Sequence, residues 1–446
     1  MIRNEPNTPP PVPAGLRKAE HSAPHWDWVE GSVWTAQMLA TLSKGVKGGK
    51  WYSLIDKVWK EENLDSAINA VIRNKGGAGV DGVQTDRLKE KRVQIRSKLH
   101  QQLKDGSYRP QPVKRVWIPK LGTKELRPLG VPTVSDRAVQ TALRNVIEPI
   151  FERDFAPHSY GFRPRRGAHD ALREVASHLE SGRHWVVDAD IKGYFDNIPQ
   201  NKLLAAVASR ISDGRVLELI EHFLKQGVLE SGKGWKPTEA GTPQGAVISP
   251  LLANIYLDPL DHLMIQHGWK MVRYADDFVI LCQTAEEAEQ VLQVIGQWMG
   301  QAGLTLHPTK TRIVDVHQRG GFDFLGYHFE RGQHWPRAKS KTKLKEAIRA
   351  KTPAHHGGRM DALIADVNKT LRGWGHYFRH SSYDLEGLNG WVRQRLRAIL
   401  RRRSKRFGRP SVWDQKRWPN AYFVSAGLHL LCTDPQLKLP IQNMDF

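Results

Sequence analysis

The feature that most constrains this chain is a pair of adjacent acids set between two apolar runs. Tyr274-Ala275-Asp276-Asp277 follows Met271-Val272-Arg273 and precedes Phe278-Val279-Ile280-Leu281. Both flanks have the β-branched and aromatic bias of short buried strands, so the acids fall at the tip of a tight hairpin. Read alone, the tetrapeptide is most simply a solvated turn, because Asp-rich turns are common. A second acidic strand changes the balance. His184-Trp185-Val186-Val187-Asp188-Ala189-Asp190-Ile191 reads as a strand ending in Asp190, followed by the turn Lys192-Gly193-Tyr194-Phe195-Asp196. Asp190 and Asp276 are 86 residues apart, so only the fold can bring them together. Carboxylates on an apolar floor need compensation, since burying unpaired charge is expensive. Oxygen ligands from separate strands suit Mg²⁺, which keeps its remaining positions for water and substrate phosphates. Two such ions roughly 3.5–4 Å apart can activate an attacking hydroxyl and stabilise a leaving pyrophosphate.

Charge points the same way. The 446 residues carry a formal net charge of +21. A densely negative partner follows, and nucleic acid is the first candidate. The length suits two or three domains with a large core. No run of ~20 apolar residues is present to span a bilayer, and the N-terminus has no apolar stretch of the secretory kind. The cysteines are Cys282 and Cys432, with no Cys-x-x-Cys pair, which argues against a disulfide framework or structural zinc. A cytoplasmic protein with no membrane partner is expected.

Along the chain, residues 1–32 begin Pro-rich and read as a flexible tail. Residues 33–73 place apolar side chains at helical spacing, giving two or three helices. Gly76, Gly77 and Gly79 lie in a Gly-rich turn at 74–82, where backbone can approach a phosphate closely. Trp117-Ile118-Pro119-Lys120 and Leu126-Arg127-Pro128-Leu129-Gly130-Val131-Pro132 read as two short strands around a turn, with Lys120 and Arg127 one on each. Ser159-Tyr160-Gly161-Phe162-Arg163-Pro164 mixes aromatic and Arg side chains, which suits contact with RNA. Residues 200–229 read as two helices. Gly241-Thr242-Pro243-Gln244-Gly245-Ala246 opens a long apolar helix, and 286–301 forms an amphipathic one. Lys310 and the alternating Phe322-Asp323-Phe324-Leu325-Gly326-Tyr327-His328-Phe329 follow.

From Arg337 the composition shifts, with seven Lys or Arg and one Glu in 337–351. A helix from Met360 to Phe378 presents Leu363, Ile364, Val367, Leu371 and Trp374 on one face and Lys369, Arg372, His376 and Arg379 on the other. Another helix begins near Leu388. Residues 391–417, including Arg401, Arg402 and Arg403, hold eleven Lys or Arg and the single acid Asp414, interleaved with Trp391 and Trp413. Cations for phosphates with aromatics for stacking make a nucleic-acid surface.

In this order, from about Asn74 to the C-terminal region, the segments resemble those of a reverse transcriptase, and specifically the reverse transcriptase–maturases encoded within bacterial group II introns. The resemblance implies an α+β right-hand polymerase: fingers and a ferredoxin-like palm at 74–330, an α-helical thumb or maturase domain X at 337–390, and a basic RNA- and DNA-binding region at 391–446. The helices at 33–73 would pack on the fingers. Asp190, Asp276 and Asp277, with the main chain at Ile191, would be the catalytic metal site, holding two Mg²⁺ ions. Lys120 and Arg127 would bind the incoming triphosphate, Phe195 would exclude a ribose 2′-hydroxyl, and Gln244 would lie beneath the templating pair. The family has Gly where Ala246 stands, which touches nucleotide choice. Lys310 would approach the leaving pyrophosphate.

Template and primer would meet Gly76, Gly77, Gly79, Arg163 and a primer-grip hairpin of Phe324, Leu325, Gly326 and Tyr327. Leu371-Arg372-Gly373-Trp374-Gly375-His376-Tyr377-Phe378 resembles the domain X signature, so Arg372, Trp374, His376 and Arg379, with Arg401 to Arg403, would bind RNA. The expected function is RNA-directed DNA synthesis, with intron splicing and insertion by target-primed reverse transcription. Its partners would be intron RNA, RNA template, DNA primer, target DNA and dNTPs, within a cytoplasmic, nucleoid-associated ribonucleoprotein. No paired-cysteine endonuclease segment like that of longer relatives is present, so the small family type is expected. The rival readings are a splicing cofactor that no longer polymerises and a reverse transcriptase recruited to defence or DNA repair.

Overall fold

A computed structural model describes residues 26–46, 48–119, 126–230, 232, 234–406 and 412–432. Lys120 lies outside the described residues, as does most of the expected tail. Among the described residues, those up to 171 together with 187–313 form one compact unit, and 172–186 with 314–432 form another. The segment 314–330, expected with the palm, belongs to the second unit.

Among the described residues, eleven strands run in chain order as β1 (Val113–Pro119), β2 (Leu126–Val131), β3 (Trp185–Asp190), β4 (Val228–Glu230), β5 (Gly234–Lys236), β6 (Lys270–Tyr274), β7 (Asp277–Cys282), β8 (Arg312–Asp315), β9 (Phe322–Phe324), β10 (Tyr327–Glu330) and β11 (Gln333–Pro336). One four-stranded sheet has the order β6-β7-β3-β8. Between β3 and β6 comes the helix Ser249–Gln266, and between β7 and β8 the helix Ala285–Gln301. Taking β3, β6, β7 and β8 as strands one to four, the spatial order is 2-3-1-4, which is the ferredoxin-like arrangement expected of a palm. It places β3 beside β7, and so the end of one acidic strand beside the tip of the acidic hairpin.

The other four-stranded sheet has the order β2-β1-β4-β5. β1 and β2 pair antiparallel, Ile118 opposite Arg127 and Arg115 opposite Gly130. β4 joins β1 in parallel at Val113 and Val228, and β5 closes a hairpin on β4. The two helices expected at 200–229 are present as Gln200–Ala208 and Gly214–Lys225. The short β4–β5 pair after them was not legible, because three-residue strands of Val-Leu-Glu and Gly-Trp-Lys carry almost no periodicity.

The helix Val134–Glu152 is the spine of this unit. Thr133 caps it by accepting a hydrogen bond from the Asp136 amide, and thirteen of its residues are buried. It packs against Glu61–Asn74, the longest of three helices, with Ala36–Lys44 and Ile55–Val58, in the region expected to hold two or three. Its polar Gln140 is fully buried. The Gln140 Oε1 accepts from the Val247 amide at 2.7 Å, so the spine fixes the loop that carries Gln244.

The second unit holds the sheet β11-β10-β9 and the helices Ala338–Lys351, Met360–Phe378, Glu386–Arg403, Val412–Arg417 and Asn420–Ser425. The apolar stripe read along Met360–Phe378 is its core face. Leu363, Ile364, Val367 and Leu371 pack with Ile348, Val392, Leu396 and Phe423. Burying each such side chain is worth about 1.5–3 kcal/mol. This cluster is what holds the helices together.

Candidate active site

The acidic hairpin is as tight as a hairpin can be. Tyr274 pairs with Asp277, leaving Ala275 and Asp276 as its two-residue loop. Ala275 has φ +62°, a left-handed conformation that non-glycine residues rarely adopt. Beneath it Met271, Val272 and Phe278 to Ile280 are fully buried, so the turn stands on a rigid floor. The segment Ser159–Gly161 runs alongside β6. The Tyr160 amide donates to Arg273 O at 2.8 Å, and the Arg273 amide donates to His158 O. Gly161 lies directly against the turn: a Cβ there would sit 2.8 Å from the Tyr274 carbonyl carbon and 3.1 Å from Ala275 Cα.

Asp276 carries the electrostatic signature of a site. Burial pushes its carboxyl above the usual range, and the neighbouring Asp190 carboxylate pushes it further, while Arg127 and Arg273 oppose the rise. Asp190 is held from the other side. The His307 amide donates to its carbonyl at 2.7 Å, and Lys310 Nζ lies 2.6 Å from its Oδ2. Ile191 is buried and forms a bridge with Leu306. The three expected acids do not gather as one ligand cluster: among the described residues no group of three His, Cys, Asp or Glu side chains does so. Asp190 and Asp276 are the facing pair, and Asp277 belongs to the first position of β7. Two hard carboxylates whose mutual repulsion is already felt at Asp276 fit a divalent cation. Asp188, one pleat back, pairs with Arg312 at 3.2 Å.

A cavity of about 340 Å³ lies in the same unit, lined by Phe195, Asp196, Thr242, Pro243 and Gln244 and by Val113, Arg115 and Gly130 of the β1–β2 sheet. Burial raises the Asp196 carboxyl, against Arg115 and Arg127. Thus the Arg127 charge lowers both the Asp276 and the Asp196 carboxyls. The Gly130 amide donates to Gln244 O at 2.7 Å, which ties the loop to β2. Gly245 has φ +103°, and a side chain there would strike Gly130 O. Ala246 is buried and does not line this cavity.

Several residues expected at nucleic acid serve the protein instead. Arg163 is buried, its Nη2 2.8 Å from Glu152 Oε1 and its Nη1 2.8 Å from Ser159 O. It staples its own loop to the spine helix and does not reach template. Gly76 and Gly79 are glycines for internal reasons. A Cβ on Gly79 would strike the Thr133 backbone, and one on Gly76 would strike Arg137, whose guanidinium bonds Gly77 O. Only Gly77 of the three faces open space.

In the second unit, Phe324 and Tyr327 are fully buried, so their rings build the hairpin and cannot touch a primer. What they present is the turn Leu325-Gly326, with φ +47° and +88°, as a two-residue primed turn requires. Tyr377 Oη donates to Leu325 O at 2.8 Å, so the domain X signature secures this turn. Trp374 packs on the helical core, and Arg401 is largely buried beside Asp414 at 3.3 Å; neither is a free surface contact. Arg372, His376, Arg402 and Arg403 are exposed, and Arg379 is half-buried.

Sequence reasoning passed over Arg273, Asp261 and Asn254. Arg273 was the available signal: a charged residue inside an otherwise apolar buried strand must be paired.

A ferredoxin-like palm with facing acids beside an arginine-bearing fingers sheet defines a template-directed polymerase of the reverse transcriptase class. Residues 118–329 match the family described as reverse transcriptase (RNA-dependent DNA polymerase), and residues 341–418 match the group II intron maturase-specific domain. The chain is 36% identical over 319 residues to protein YkfC of Escherichia coli K12, covering 62% of this chain and 83% of that one. It is 43% identical over 209 residues to the group II intron-encoded protein LtrA of Lactococcus lactis subsp. cremoris, covering 46% of this chain but 34% of LtrA. A chain of a Cas6-RT-Cas1–Cas2 complex is similar at 26% identity and a TM-score of 0.37, over 56% of this chain and 42% of that one. The chain belongs to the group II intron-encoded reverse transcriptase–maturases. It is an RNA-directed DNA polymerase with a maturase domain, of a family that uses divalent metal ions and binds RNA and DNA.

Proposed function

We propose that this chain copies RNA into DNA at the Asp190–Asp276 pair and uses the same RNA-binding body to assist splicing of its intron and insertion by target-primed reverse transcription, as a cytoplasmic ribonucleoprotein. The observation that carries the reading is the approach of Asp190 and Asp276 from separate strands, with Arg127 acting on Asp276 from the fingers sheet. Asp190 and Asp276, with the main chain at Ile191, would hold two Mg²⁺ ions, and Asp277 supports the turn. Bound there, the ions supply charge neutralisation for an attacking primer 3′-hydroxyl and a leaving pyrophosphate.

The chain's own side chains do the rest. Arg127 offers a two-pronged guanidinium to the triphosphate of a dNTP, joined by Lys120 as a compact charge. The Phe195 ring stands at the cavity wall where a sugar 2′ substituent would enter. Gln244, anchored through its carbonyl to Gly130, supports the templating pair. Lys310 holds a proton on Nζ beside Asp190, positioned to pass it to the pyrophosphate oxygen as the bond breaks.

The test is primer extension on a structured RNA template with Mg²⁺ and dNTPs. Wild type yields full-length cDNA, and Asp276→Ala yields none while keeping its fold and its RNA affinity. Wild-type-like synthesis by Asp276→Ala would overturn the assignment. RNA binding and splicing without synthesis by wild type would leave a splicing cofactor.

A further inference from the structure

We propose that Arg273 is a positioning residue for DNA synthesis, setting the conformation of the catalytic turn from beneath through the Ala275 carbonyl. The proposal rests on the reading of Asp276 as a catalytic acid.

Arg273 is the last interior residue of β6 before the turn and is fully buried. A guanidinium has five N–H donors in a fixed plane, and this one makes four hydrogen bonds to three residues. Its Nε donates to Asp261 Oδ1 at 2.7 Å, and its Nη2 bonds the other Asp261 oxygen. Its Nη1 donates to Asn254 Oδ1 at 3.0 Å and to Ala275 O at 2.8 Å. Asp261 is itself fully buried on the helix Ser249–Gln266, so the guanidinium cannot drift without orphaning a charge.

The fourth contact reaches the central residue of the turn. Ala275 sits in the left-handed region without being a glycine, and such a conformation persists only where its surroundings over-determine it. Two of those surroundings are on one network. Arg273 pins the Ala275 carbonyl, and Asn254 Nδ2 donates at 2.8 Å to the carbonyl of Gly161, which lies so close to the turn that it leaves no room for a Cβ. The bond to Ala275 O is directed at the peptide whose next residue is Asp276, and it fixes where that carboxylate projects from the strand.

Arg273→Lys keeps the charge beside Asp261 but has no planar fork to reach Asn254 and Ala275 together. In single-nucleotide incorporation with the full chain, Arg273→Lys is expected to lower the maximal rate about 100-fold, the usual cost of a misplaced reacting group. The KM for dNTP and the affinity for an RNA–DNA duplex should stay within about threefold. The second variant is Arg273→Met with Asp261→Leu, which removes the charges together, a swap that buried ion pairs often tolerate. It is expected to melt near wild type and still be slow.

Recovery of the rate with recovery of stability in the double variant overturns the proposal, as does a wild-type rate in Arg273→Lys. Failure of both variants to fold also overturns it, since Arg273 would then belong to the core alone. Asp276→Ala is run alongside: if it is active, the reading of the acid has failed, whereas an inactive Asp276→Ala with a fast Arg273→Lys refutes only the positioning role.

Discussion

Gly161 offers the sharpest test of how the catalytic turn is held. A methyl on Gly161 would lie 2.8 Å from the Tyr274 carbonyl carbon, where ordinary van der Waals contact begins at 3.4 Å, and closer still to the Ala275 amide. Both atoms are backbone, so no side chain can swing aside. Either the turn retreats by about 0.6 Å or more, or the Ser159–Gly161 segment does. The turn is the less stoutly tied of the two. Its loop is held from below by the one bond from Arg273 to Ala275 O, whereas the segment is bonded at three points, from Tyr160 to Arg273 O, from Asn254 to Gly161 O and from Arg163 to Glu152. Gly161→Ala should therefore move Asp276. Displacements of this order cost about 100-fold in rate, or roughly 2.7 kcal/mol in the barrier. The assay is single-nucleotide incorporation, with melting temperature and duplex affinity as controls. Gly214→Ala, whose methyl meets nothing within 4 Å, serves as the neutral comparison. A folded Gly161→Ala that binds duplex and incorporates within threefold of wild type refutes the reasoning. A large loss of stability at an unchanged rate would show that the segment yields and the turn does not.

Two further expectations follow from the same unit. Phe195→Ala opens the cavity wall beside Asp196, so discrimination against ribonucleotides should fall by roughly 10- to 200-fold, the range for one apolar contact; undiminished discrimination in competition assays would remove Phe195 from sugar selection. Glu148, on the buried side of the spine helix, has its carboxyl pushed up to about 7 from an ordinary 4.5, by burial first and by Glu152, against Arg144. Its folded form keeps a proton that the unfolded chain releases near pH 4.5, so stability drains away as pH rises from about 4.5 to 7 and the cost is complete above that. Glu148→Gln should raise the melting temperature at pH 8, by at most about 3 kcal/mol of stability, and flatten its decline between pH 5 and 7. A variant less stable than wild type at pH 8 would contradict this.

What the sequence disclosed and what it hid divide along a physical line. The acidic hairpin was legible because two short β-branched and aromatic runs flank the acids, and a second acidic strand lies upstream. The helix Met360–Phe378 was legible because its apolar residues recur at three and four. Those are local signals. The site around the hairpin is made of contacts between residues far apart in sequence. Arg163 looks from its neighbours Phe162 and Arg165 like an RNA contact, and nothing local shows Glu152 waiting for it. Gly79 looks like a phosphate cradle until Thr133 is seen against it. Phe324 and Tyr327 sit on the buried face of an alternating hairpin, and the alternation alone does not say whether that face meets a primer or the protein.

The misassignments share a cause. Arginines, glycines and aromatics are the residues of nucleic-acid recognition, but they are also the residues that lock a buried backbone in place. In a chain with +21 net charge, composition tilts every ambiguous arginine toward the phosphate reading. Burial is the discriminator. Arg127 is exposed and lowers the carboxyls of Asp276 and Asp196, whereas Arg163 and Arg273 are enclosed and paired within the protein. The enclosed arginines are not idle for that reason. A polymerase must hold Asp276 to within a fraction of an ångström through repeated cycles of nucleotide entry and pyrophosphate release. A two-residue turn with a left-handed alanine cannot supply that rigidity from its own backbone. The chain supplies it from buried cations: Arg273 beneath the turn, which the sequence shows only as part of an apolar strand, and Arg163 behind the adjoining segment, which the sequence suggests as a contact with RNA.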